Sequence, residues 1–566
     1  MVSIVLIACL GALVYSNTFL SSFHFDDKIY IIDNFFIRDI HNLFNIWQCC
    51  PCRFLTFLSL ALNYHYHQLN VLGYHLFNLA IHLACAILVW WLVLLTLSTP
   101  AFEESPTKSK QLGLLKGNKI SKHADLLALF AGLVFVSHPI QTQAVTYIWQ
   151  RAASMATLFY LASLCLYVKS KLPCRSPGLT RLYYTGSLMT AVAAMFTKEI
   201  AVTLPLMILL YEFSFFETKK TLNWRRLSPF LLTLFIIPLT MLLTKSARFQ
   251  EIQNVVQGPH GITPAHYLFT QFRVIITYLR LCFLPLNQNI DHDYPVFKSI
   301  FELPVLLSIL FLAMALFAAK RLFSKYRLVS FSILWFLLTL LPESSILPQK
   351  DVLVEHRLYL PLVGYSVFLV SGIYYLCQSR GLTVVMIIIA CYSVMTYQRN
   401  EVWKNELTLW TDAIKKSPHK ARAYGNRGNA YFNQGDLARA MSDFNKTLEI
   451  NPGDELAYNN RGKTYQAQGR FAQAMPDYNK AIELNPVYEE AYANRGLAYG
   501  QQGDFKKAII DLSKAIDINP FDVDAYNNRG VAYYKQGHFA QAMSDYDKAI
   551  EINPGYLAAY RNRAKL

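Results

Sequence analysis

The sequence lacks the residue sets that mark a zinc enzyme or a nucleotide-dependent enzyme. It has no glycine-rich loop of the kind that holds nucleotide phosphates, and no Cys, His and carboxylate group with metal-ligand spacing. All ten cysteines precede residue 392. Three of them share the loop Cys49-Cys50-Pro51-Cys52, whose spacing leaves a disulfide or reduced thiols equally open. The C-terminal region after residue 391 has no cysteine, which suits an oxidising compartment.

Charged residues are also scarce, at 16% of the chain, while 54% of its residues are hydrophobic. This balance indicates that much of the chain lies in lipid. Residues 401–566 hold 22 Lys and Arg against 20 Asp and Glu, so most of the net charge of +16 lies in the first 400 residues. There the positive charges occupy short loops between apolar runs, which is typical of membrane topology signals. We therefore predict no nucleic-acid partner.

Apolar runs of roughly spanning length recur through the first 400 residues and predict about eleven membrane crossings. The first run has no Lys or Arg ahead of it and no small-residue cleavage site, so it is predicted to be an uncleaved span. The run at 264–286 contains two arginines and is predicted to be interfacial or re-entrant. The predicted crossings lie near residues 3–20, 71–98, 124–137, 145–168, 182–196, 200–216, 228–244, 303–319, 328–341, 361–377 and 382–397.

Four basic loops predict the orientation of these crossings. Lys and Arg cluster at residues 108–122, 169–181, 219–226 and 320–327, and the positive-inside rule places all four loops in the cytoplasm. Eleven crossings then put the N-terminus in the cytoplasm and the C-terminal region outside. Nearly every unusual polar residue falls in a segment predicted to be external.

A fixed step of 34 residues organises the C-terminal region. Asn-Arg-Gly, or Asn-Arg-Ala at the last position, begins at residues 426, 460, 494, 528 and 562, and Asn-Pro keeps the same step. This period is typical of tetratricopeptide repeats, which are stacked helix pairs. The predicted fold class is therefore all-α, with a polytopic membrane domain followed by a tetratricopeptide-repeat solenoid. The predicted boundaries are 1–398 for the membrane domain, 399–420 for a linker and half repeat, and 421–454, 455–488, 489–522, 523–556 and 557–566 for the repeats.

Asparagines at one register position of the repeats form a predicted peptide-binding ladder. Equally spaced side-chain amides could pair with the backbone of an extended peptide, whatever its side chains. The alternative is that these are ordinary asparagines on a helix face. The ladder consists of Asn426, Asn460, Asn494, Asn528 and Asn562.

Two adjacent acids, Asp26 and Asp27, follow the first apolar run. Neighbouring carboxylates repel each other, which can raise one pKa and leave a base poised near neutrality. The alternative is a helix N-cap or a solvated pair.

Cationic residues recur in other segments predicted to be external. Several cations that converge on one outer pocket could hold a phosphate group, because Arg gives two-pronged contacts with phosphate oxygens. For each cation taken alone, snorkelling or an internal ion pair explains its presence equally well. The candidates for the phosphate and its surroundings are Arg53, Arg151, Lys198, Glu199, His356 and Arg357.

In their order along the chain, these segments resemble a family of membrane enzymes. The chain is similar to the transmembrane and tetratricopeptide-repeat-containing protein O-mannosyltransferases and their bacterial relatives, of the C-type superfamily of multi-spanning glycosyltransferases. The resemblance covers essentially the whole chain. It is carried by Asp26-Asp27, Arg53, the segment 73–82, His138-Pro139, Arg151, Thr197-Lys198-Glu199 and the segment 356–361.

The resemblance implies an inverting transferase that moves a sugar, mannose or another hexose, from a polyprenyl-phosphate carrier to Ser or Thr hydroxyls on the extracytoplasmic face. It assigns Asp26 as the general base, Asp27 as its partner and Arg151 as the family arginine. No cofactor is required, and a divalent metal is left open. Two departures concern this site: Gln143 stands where relatives often carry Glu, and the cysteine-rich stretch before Arg53 is not a family pattern.

Three functional hypotheses remain open from the sequence. The first is protein O-glycosylation, with the repeats binding the acceptor protein and membrane lipid surrounding the body. The second keeps the fold but transfers sugar to a lipid or surface glycan. The third is a non-catalytic scaffold for envelope assembly. The regular repeats favour a bacterial inner membrane with periplasmic repeats over an endoplasmic reticulum membrane with luminal repeats.

Overall fold

The computed structural model describes residues 1–102, 123–173, 176–216, 223–244, 262–345 and 347–566. These residues form helices and contain no strand, which confirms the predicted fold class. The described chain divides into two compact units, Met1–Leu409 and Trp410–Leu566. The predicted basic segments 108–122 and 219–220 lie outside the described residues.

The first unit contains the helices α1 to α16, and α17 spans its boundary with the second. Their bounds are α1 Val2–Val14, α2 Leu43–Cys49, α3 Phe54–His67, α4 Val71–Leu97, α5 Ala124–Ser137, α6 Thr142–Val145, α7 Arg151–Lys171, α8 Pro177–Met195, α9 Leu204–Tyr211, α10 Trp224–Leu232, α11 Ile236–Thr244, α12 Pro264–Phe283, α13 Leu303–Leu322, α14 Arg327–Leu340, α15 Pro361–Cys377, α16 Ser379–Val402 and α17 Glu406–Lys416. Single turns of other helix types lie at Lys28–Ile32, Phe35–Ile37, Pro51–Arg53, Pro139–Gln141, Ile148–Gln150, Glu199–Thr203, Glu212–Phe216, Thr233–Phe235 and Glu355–Leu358.

The predicted count of about eleven spans is not reproduced. Among the described residues, six helical segments are long and apolar enough to cross a membrane, or seven if the bent pair formed by α5 and Pro139–Val145 counts as one span. Three other predicted spans form apolar helices that are too short (α1, α14 and α15), and α8 is long enough but too polar. The six segments are Val71–Leu97, Ile148–Lys171, Glu199–Phe216, Trp224–Leu242, Leu303–Leu322 and Ser379–Val402.

Close helix contacts in the first unit depend on small residues. A Cβ atom added to Gly364 on α15 would lie 2.8 Å from the Ser332 carbonyl oxygen of α14. A Cβ atom on Gly132 of α5 would lie 2.8 Å from Ile7 Cδ1 of α1. Small residues let helices approach closely in lipid, where the hydrophobic effect between helices is weak. These contacts fix the packing around the polar loops described below.

The second unit is an array of paired helices. Its helices are α18 Ala421–Asn433, α19 Leu437–Ile450, α20 Glu455–Ala467, α21 Phe471–Leu484, α22 Glu489–Gln501, α23 Phe505–Ile518, α24 Val523–Lys535, α25 Phe539–Ile552 and α26 Leu557–Arg563. The turn inside each pair contains a glycine with positive φ, between 73° and 84°, which is the usual left-handed end of a helix. These glycines are Gly435, Gly469, Gly503 and Gly537.

From the second repeat onward, an arginine in the first helix contacts the preceding repeat. Arg461 donates two hydrogen bonds to the Asp477 carboxylate, at 2.8 and 2.7 Å. It donates a third, at 2.9 Å, to Asn445 of the preceding repeat. Arg495 repeats the arrangement with Asp511 and Asn479. Two-pronged Arg–carboxylate pairs are strong and geometrically specific, so they hold the register from one repeat to the next.

Candidate active site

The acidic pair lies at a strained turn in the first loop of the membrane unit. Phe25 adopts φ 46°, a left-handed conformation that bulky residues rarely take. The single turn Lys28–Ile32 then begins, with Asp27 at its N-cap position. Asp26 is half-buried and Asp27 is fully buried, so the two adjacent acids have different environments.

Both oxygens of the Asp27 carboxylate accept backbone hydrogen bonds. The N–H of His24 donates to Oδ2 at 2.9 Å, and the N–H of Trp149 donates to Oδ1 at 2.7 Å. Burial raises the pKa of Asp27 to about 8, and the charge of Asp26 adds to the rise, while these two hydrogen bonds oppose it. Asp27 therefore retains a proton near neutral pH.

Tyr147 lies next to Asp26. The backbone N–H of Asp26 donates to the Tyr147 hydroxyl oxygen at 3.0 Å, and the Tyr147 ring stacks on Trp403 with 5.7 Å between centroids. Burial, followed by the charges of Asp26 and Asp27, raises the pKa of Tyr147 well above its usual value. The phenol keeps its proton, so it serves as a neutral hydrogen-bonding group beside the acids.

Arg53 and Glu199 form an ion pair at the start of α3. Arg53 Nη2 lies 3.3 Å from Glu199 Oε2, and its Nε lies 3.4 Å from Oε1. The segment that carries Glu199 is held against α3 by a hydrogen bond from Thr56 Oγ1 to the Thr197 carbonyl oxygen at 3.0 Å. The two contacts between Arg53 and Glu199 are longer than a typical charge-assisted hydrogen bond, so the protein holds the Arg53 guanidinium loosely.

Lys198 forms a second ion pair, with Glu343 at 3.2 Å. Burial lowers the pKa of Lys198, and Glu343 opposes this shift only in part. Burial alone would raise the pKa of Glu343, but the charges of Lys198 and Arg357 outweigh it, so the pKa of Glu343 is lowered. Glu343 therefore stays ionised between two cations.

The turn Glu355–Leu358 brings His356 and Arg357 to the same region. Arg357 donates to the Val352 and Asp351 carbonyl oxygens, at 3.1 and 2.9 Å. Burial lowers the pKa of His356 well below its usual value, and the charges of Lys198, Arg357 and Arg53 lower it further. The imidazole is neutral, and its buried Nδ1 atom has no hydrogen-bond partner among the described residues.

Arg151 is held by acceptors on two helices. It is fully buried, and it donates to Asn78 Oδ1 at 2.6 Å, to the Ser59 carbonyl oxygen at 3.2 Å and to the Tyr74 carbonyl oxygen at 3.1 Å. These acceptors belong to α3 and α4. The guanidinium thus joins two helices behind the acidic pair, and its donors are used within the protein.

Trp149 connects the acidic pair to the cations. Its backbone N–H binds Asp27, and its ring stacks on Tyr30 with 3.9 Å between centroids. The guanidinium carbon of Arg53 lies 5.7 Å from the centroid of the same ring, within the range of a cation–π contact. One aromatic residue therefore separates the acidic pair from a group that we name the cationic cluster, which consists of the cations Arg53, Lys198 and Arg357 and the neutral His356.

The described residues contain no group of three or more His, Cys, Asp and Glu side chains placed to hold a metal ion. The chemistry that the site offers is proton acceptance by a carboxylate and stabilisation of negative charge by nearby cations.

The asparagine ladder lies on the first helices of the repeats, where all five members are half-buried. Asn494 donates to Asn459 Oδ1 at 3.0 Å, and Asn562 donates to Asn527 Oδ1 at 2.9 Å. These two ladder members each use one donor on a neighbouring repeat. Asn426 has a buried Nδ2 with no partner among the described residues.

Several residues at these sites were not predicted from the sequence. Glu343 lies 145 positions from its partner Lys198 and carries no local signal for the pairing. Gln143, which departs from the Glu that relatives often carry, accepts a hydrogen bond from the His356 backbone N–H at 2.6 Å. Asn459 and Asn527 directly precede ladder asparagines in alternate repeats, and that alternation is visible in the sequence.

Fold and site together define a membrane protein of many helices that carries a C-terminal tetratricopeptide array. The family described as Tetratricopeptide repeat matches residues 421–454, 456–488 and 523–556, and two related repeat families match residues 477–510 and 498–537.

The chain is similar to proteins named Protein O-mannosyl-transferase, which confirms the family resemblance seen in its motifs. It is 24% identical to TMTC3 of Homo sapiens over 499 residues, which cover 78% of this chain and 50% of that protein. It is also 24% identical to Tmtc3 of Drosophila melanogaster over 527 residues, covering 79% and 55%. The chain thus spans about half the length of these curated relatives. Among solved structures, the crystal structure of MamA protein is 27% identical, covers 26% of this chain and 81% of its own, and has a TM-score of 0.24.

Proposed function

We propose that this chain is an integral-membrane glycosyltransferase that moves a hexose, with mannose the first candidate, from a polyprenyl-phosphate carrier to Ser or Thr hydroxyls of proteins. The relatives' names support transfer of mannose to protein. The reaction takes place on the extracytoplasmic face. The observation that carries the proposal is the position of Asp26 and Asp27 beside the cationic cluster, with Trp149 between them.

Asp26 acts as the general base in this proposal. Asp27 is buried and its pKa is raised to about 8, so we assign the role of base to the more accessible Asp26. As the acceptor hydroxyl oxygen bonds to the anomeric carbon of the sugar, its proton passes to the Asp26 carboxylate. A single displacement from the face opposite the leaving group inverts the anomeric configuration.

The cationic cluster stabilises the departing phosphate. The bond between the anomeric carbon and the phosphate oxygen breaks, and negative charge develops on the phosphate as it leaves. Arg53, Lys198 and Arg357 supply positive charge, and the neutral His356 offers its buried Nδ1 to a ligand hydroxyl. A phosphate leaving group needs no acid to protonate it, so one base and these cations suffice.

The repeats present the acceptor protein in this proposal. Tetratricopeptide arrays are extended binding surfaces. Asn426 and Asn460 lie at the end of the ladder nearest the membrane unit in sequence, where Asn426 retains a buried amide donor. The near-consensus regularity of the repeats leads us to place the chain in a bacterial inner membrane with periplasmic repeats. Fractionation of the source cells distinguishes this from the endoplasmic reticulum.

The test replaces the base and a matched acid of the same loop. Asp26→Asn is expected to lower sugar transfer from a polyprenyl-phosphate donor by at least about a hundredfold, the range of general-base catalysis. Asp33 is exposed and lies one turn further along, so Asp33→Asn serves as the control and keeps full activity. Thermal unfolding in detergent checks that both variants fold. Normal turnover by Asp26→Asn would disprove the proposed base.

The acceptor is identified by mass spectrometry of secreted proteins and of membrane glycolipids, from cells with and without the chain. Hexose-sized mass increments on proteins support the proposal. Unchanged proteins with altered glycolipid would indicate a lipid or glycan acceptor, and no change in either would favour the scaffold hypothesis.

A further inference from the structure

The turn Cys50-Pro51-Cys52 places two thiols beside the candidate active site. Cys50 has an extended backbone, and Pro51 begins the single turn Pro51–Arg53. This arrangement brings the two Sγ atoms within 3.4 Å of each other. Cys50 is half-buried, whereas Cys52 is 2% exposed.

The thiol pair also contacts the Arg53–Glu199 ion pair. Cys52 Sγ donates to Glu199 Oε1 at 3.6 Å, and the same carboxylate oxygen lies 3.4 Å from Arg53 Nε. Two sulfurs, a carboxylate and a guanidinium therefore form one connected group. The carboxylate is within reach of the proton of the buried thiol.

We propose that Cys50 and Cys52 form a reversible dithiol–disulfide site that reacts with small disulfides, and that Glu199 accepts the proton of Cys52 in this reaction. Cys50 loses its proton to solvent, and its thiolate attacks one sulfur of the incoming disulfide, whose S–S bond breaks and releases one thiolate, which takes up a proton from solvent. A mixed disulfide on Cys50 remains. Cys52 then attacks Cys50 Sγ while its proton passes to Glu199, and the second thiolate leaves. Two protein thiols are oxidised, and the incoming disulfide is reduced to two thiols.

Accessibility sets the order of these steps. The half-buried Cys50 meets the incoming disulfide first, because Cys52 is enclosed. A hydrogen bond with Cys50, followed by burial and the charge of Glu199, raises the pKa of Cys52, so this thiol needs a base when it attacks. A disulfide that closes over a single intervening residue is strained, and strained disulfides are readily reduced. The oxidised state is therefore labile.

Oxidation alters the candidate active site, a consequence that rests on the proposed function. The disulfide removes the S–H donor of Cys52 from Glu199 Oε1. The carboxylate then attracts Arg53 more strongly, which leaves this arginine less available to a phosphate. We expect the oxidised protein to bind a polyprenyl-phosphate donor several-fold more weakly than the reduced protein.

The first experiment measures the thiol chemistry without any sugar donor. The full chain, purified in detergent and reduced, is treated with oxidised glutathione, alkylated and analysed by peptide mass. We expect the loss of two hydrogens in the peptide that holds both cysteines, and its reversal by dithiothreitol. Cys52→Ser should stop at the mixed disulfide with one glutathione, while the matched control Cys49→Ser oxidises as the parent does. Full alkylation of the treated parent, or loss of the disulfide in Cys49→Ser, would overturn the proposal.

The second experiment tests the base. In Glu199→Gln the mixed disulfide should resolve at least about tenfold more slowly at neutral pH, and Glu199→Asp should recover part of the rate. Thermal unfolding of each variant confirms that it is folded, and an unchanged rate in Glu199→Gln would refute the role of the carboxylate. Donor binding to reduced and oxidised protein is measured separately. Absence of donor binding would count against the proposed function alone, while equal binding in both states would disprove only the predicted coupling.

Discussion

The substitution Arg151→Lys tests whether Arg151 has a structural role or binds the phosphate of the donor. The parent guanidinium reaches acceptors on two helices: Asn78 Oδ1, the Ser59 carbonyl oxygen and the Tyr74 carbonyl oxygen, at 2.6 to 3.2 Å. A lysine keeps the charge but has one compact ammonium group, which cannot span these positions. At least two buried acceptors then lose their donor.

The expected cost follows from those acceptors. A buried polar group left without its partner costs about 1–3 kcal/mol, so two of them cost about 2–6 kcal/mol. This is a large part of the roughly 5–15 kcal/mol that stabilises a typical folded domain. We expect the apparent midpoint of thermal unfolding to fall by several degrees. Tryptophan fluorescence of the detergent-purified full chain measures it, at one fixed scan rate because such unfolding is often irreversible.

Arg53→Lys is the matched control. Arg53 is 17% exposed at its side chain, and its contacts with Glu199 are 3.3 and 3.4 Å long, so its replacement should change the midpoint little. The same variant should weaken binding of a polyprenyl-phosphate donor. The reasoning would be refuted if Arg151→Lys left the midpoint unchanged while abolishing donor binding, because Arg151 would then be a ligand of the phosphate.

Three further outcomes are expected. The pKa of Asp27 is raised from 3.8 to about 8 in the folded protein, so its contribution to stability is fully present below pH 3.8 and is lost progressively as the pH rises to about 8. The midpoint of Asp27→Asn should lack this dependence, and equal pH profiles would contradict it. Asp477→Asn breaks a two-pronged arginine contact and should accelerate hydrogen exchange across its repeat, unlike Asp547→Asn, whose side chain is 52% exposed. Gly364→Ala should lower stability by about 1–3 kcal/mol, seen as a lower midpoint in detergent, because the added Cβ would meet α14. A Cβ added to Gly372 has nothing within 4 Å, so Gly372→Ala should be neutral. Equal midpoints for the two variants would be inconsistent with this packing.

The fold could be read from the sequence where its signals are local. The 34-residue step predicts the repeats because each one buries the same register positions against its neighbour. The number of spans could not be read in this way. Hydropathy does not reveal the bend of 49° between α5 and Pro139–Val145, or that the run at 3–20 forms a helix of only 13 residues, Val2–Val14. Helix breaks depend on tertiary contacts of the backbone, which a window of composition does not contain.

The residues of the candidate site could likewise be predicted only where their signals are local in the sequence. Asp26 and Asp27 could be singled out because two adjacent acids directly after an apolar run are unusual in themselves. Their unequal burial could not be predicted, because it depends on the backbone N–H of Trp149, 122 residues further along the chain. Likewise, Arg151 and Arg53 carry the same charge in the sequence, and only the structure shows that Arg151 donates to three acceptors on two helices.

The pairing of Asn494 with Asn459, and of Asn562 with Asn527, doubles the structural period of the asparagine ladder. Although the helices recur every 34 residues, the polar chemistry recurs only every second repeat, because the residue before the ladder asparagine alternates. A bound strand would therefore meet strong and weak anchoring points in turn. A bound peptide displaced by one repeat would lose these anchoring contacts, whereas displacement by two repeats would restore them. Such a surface would hold an extended peptide in registers two repeats apart.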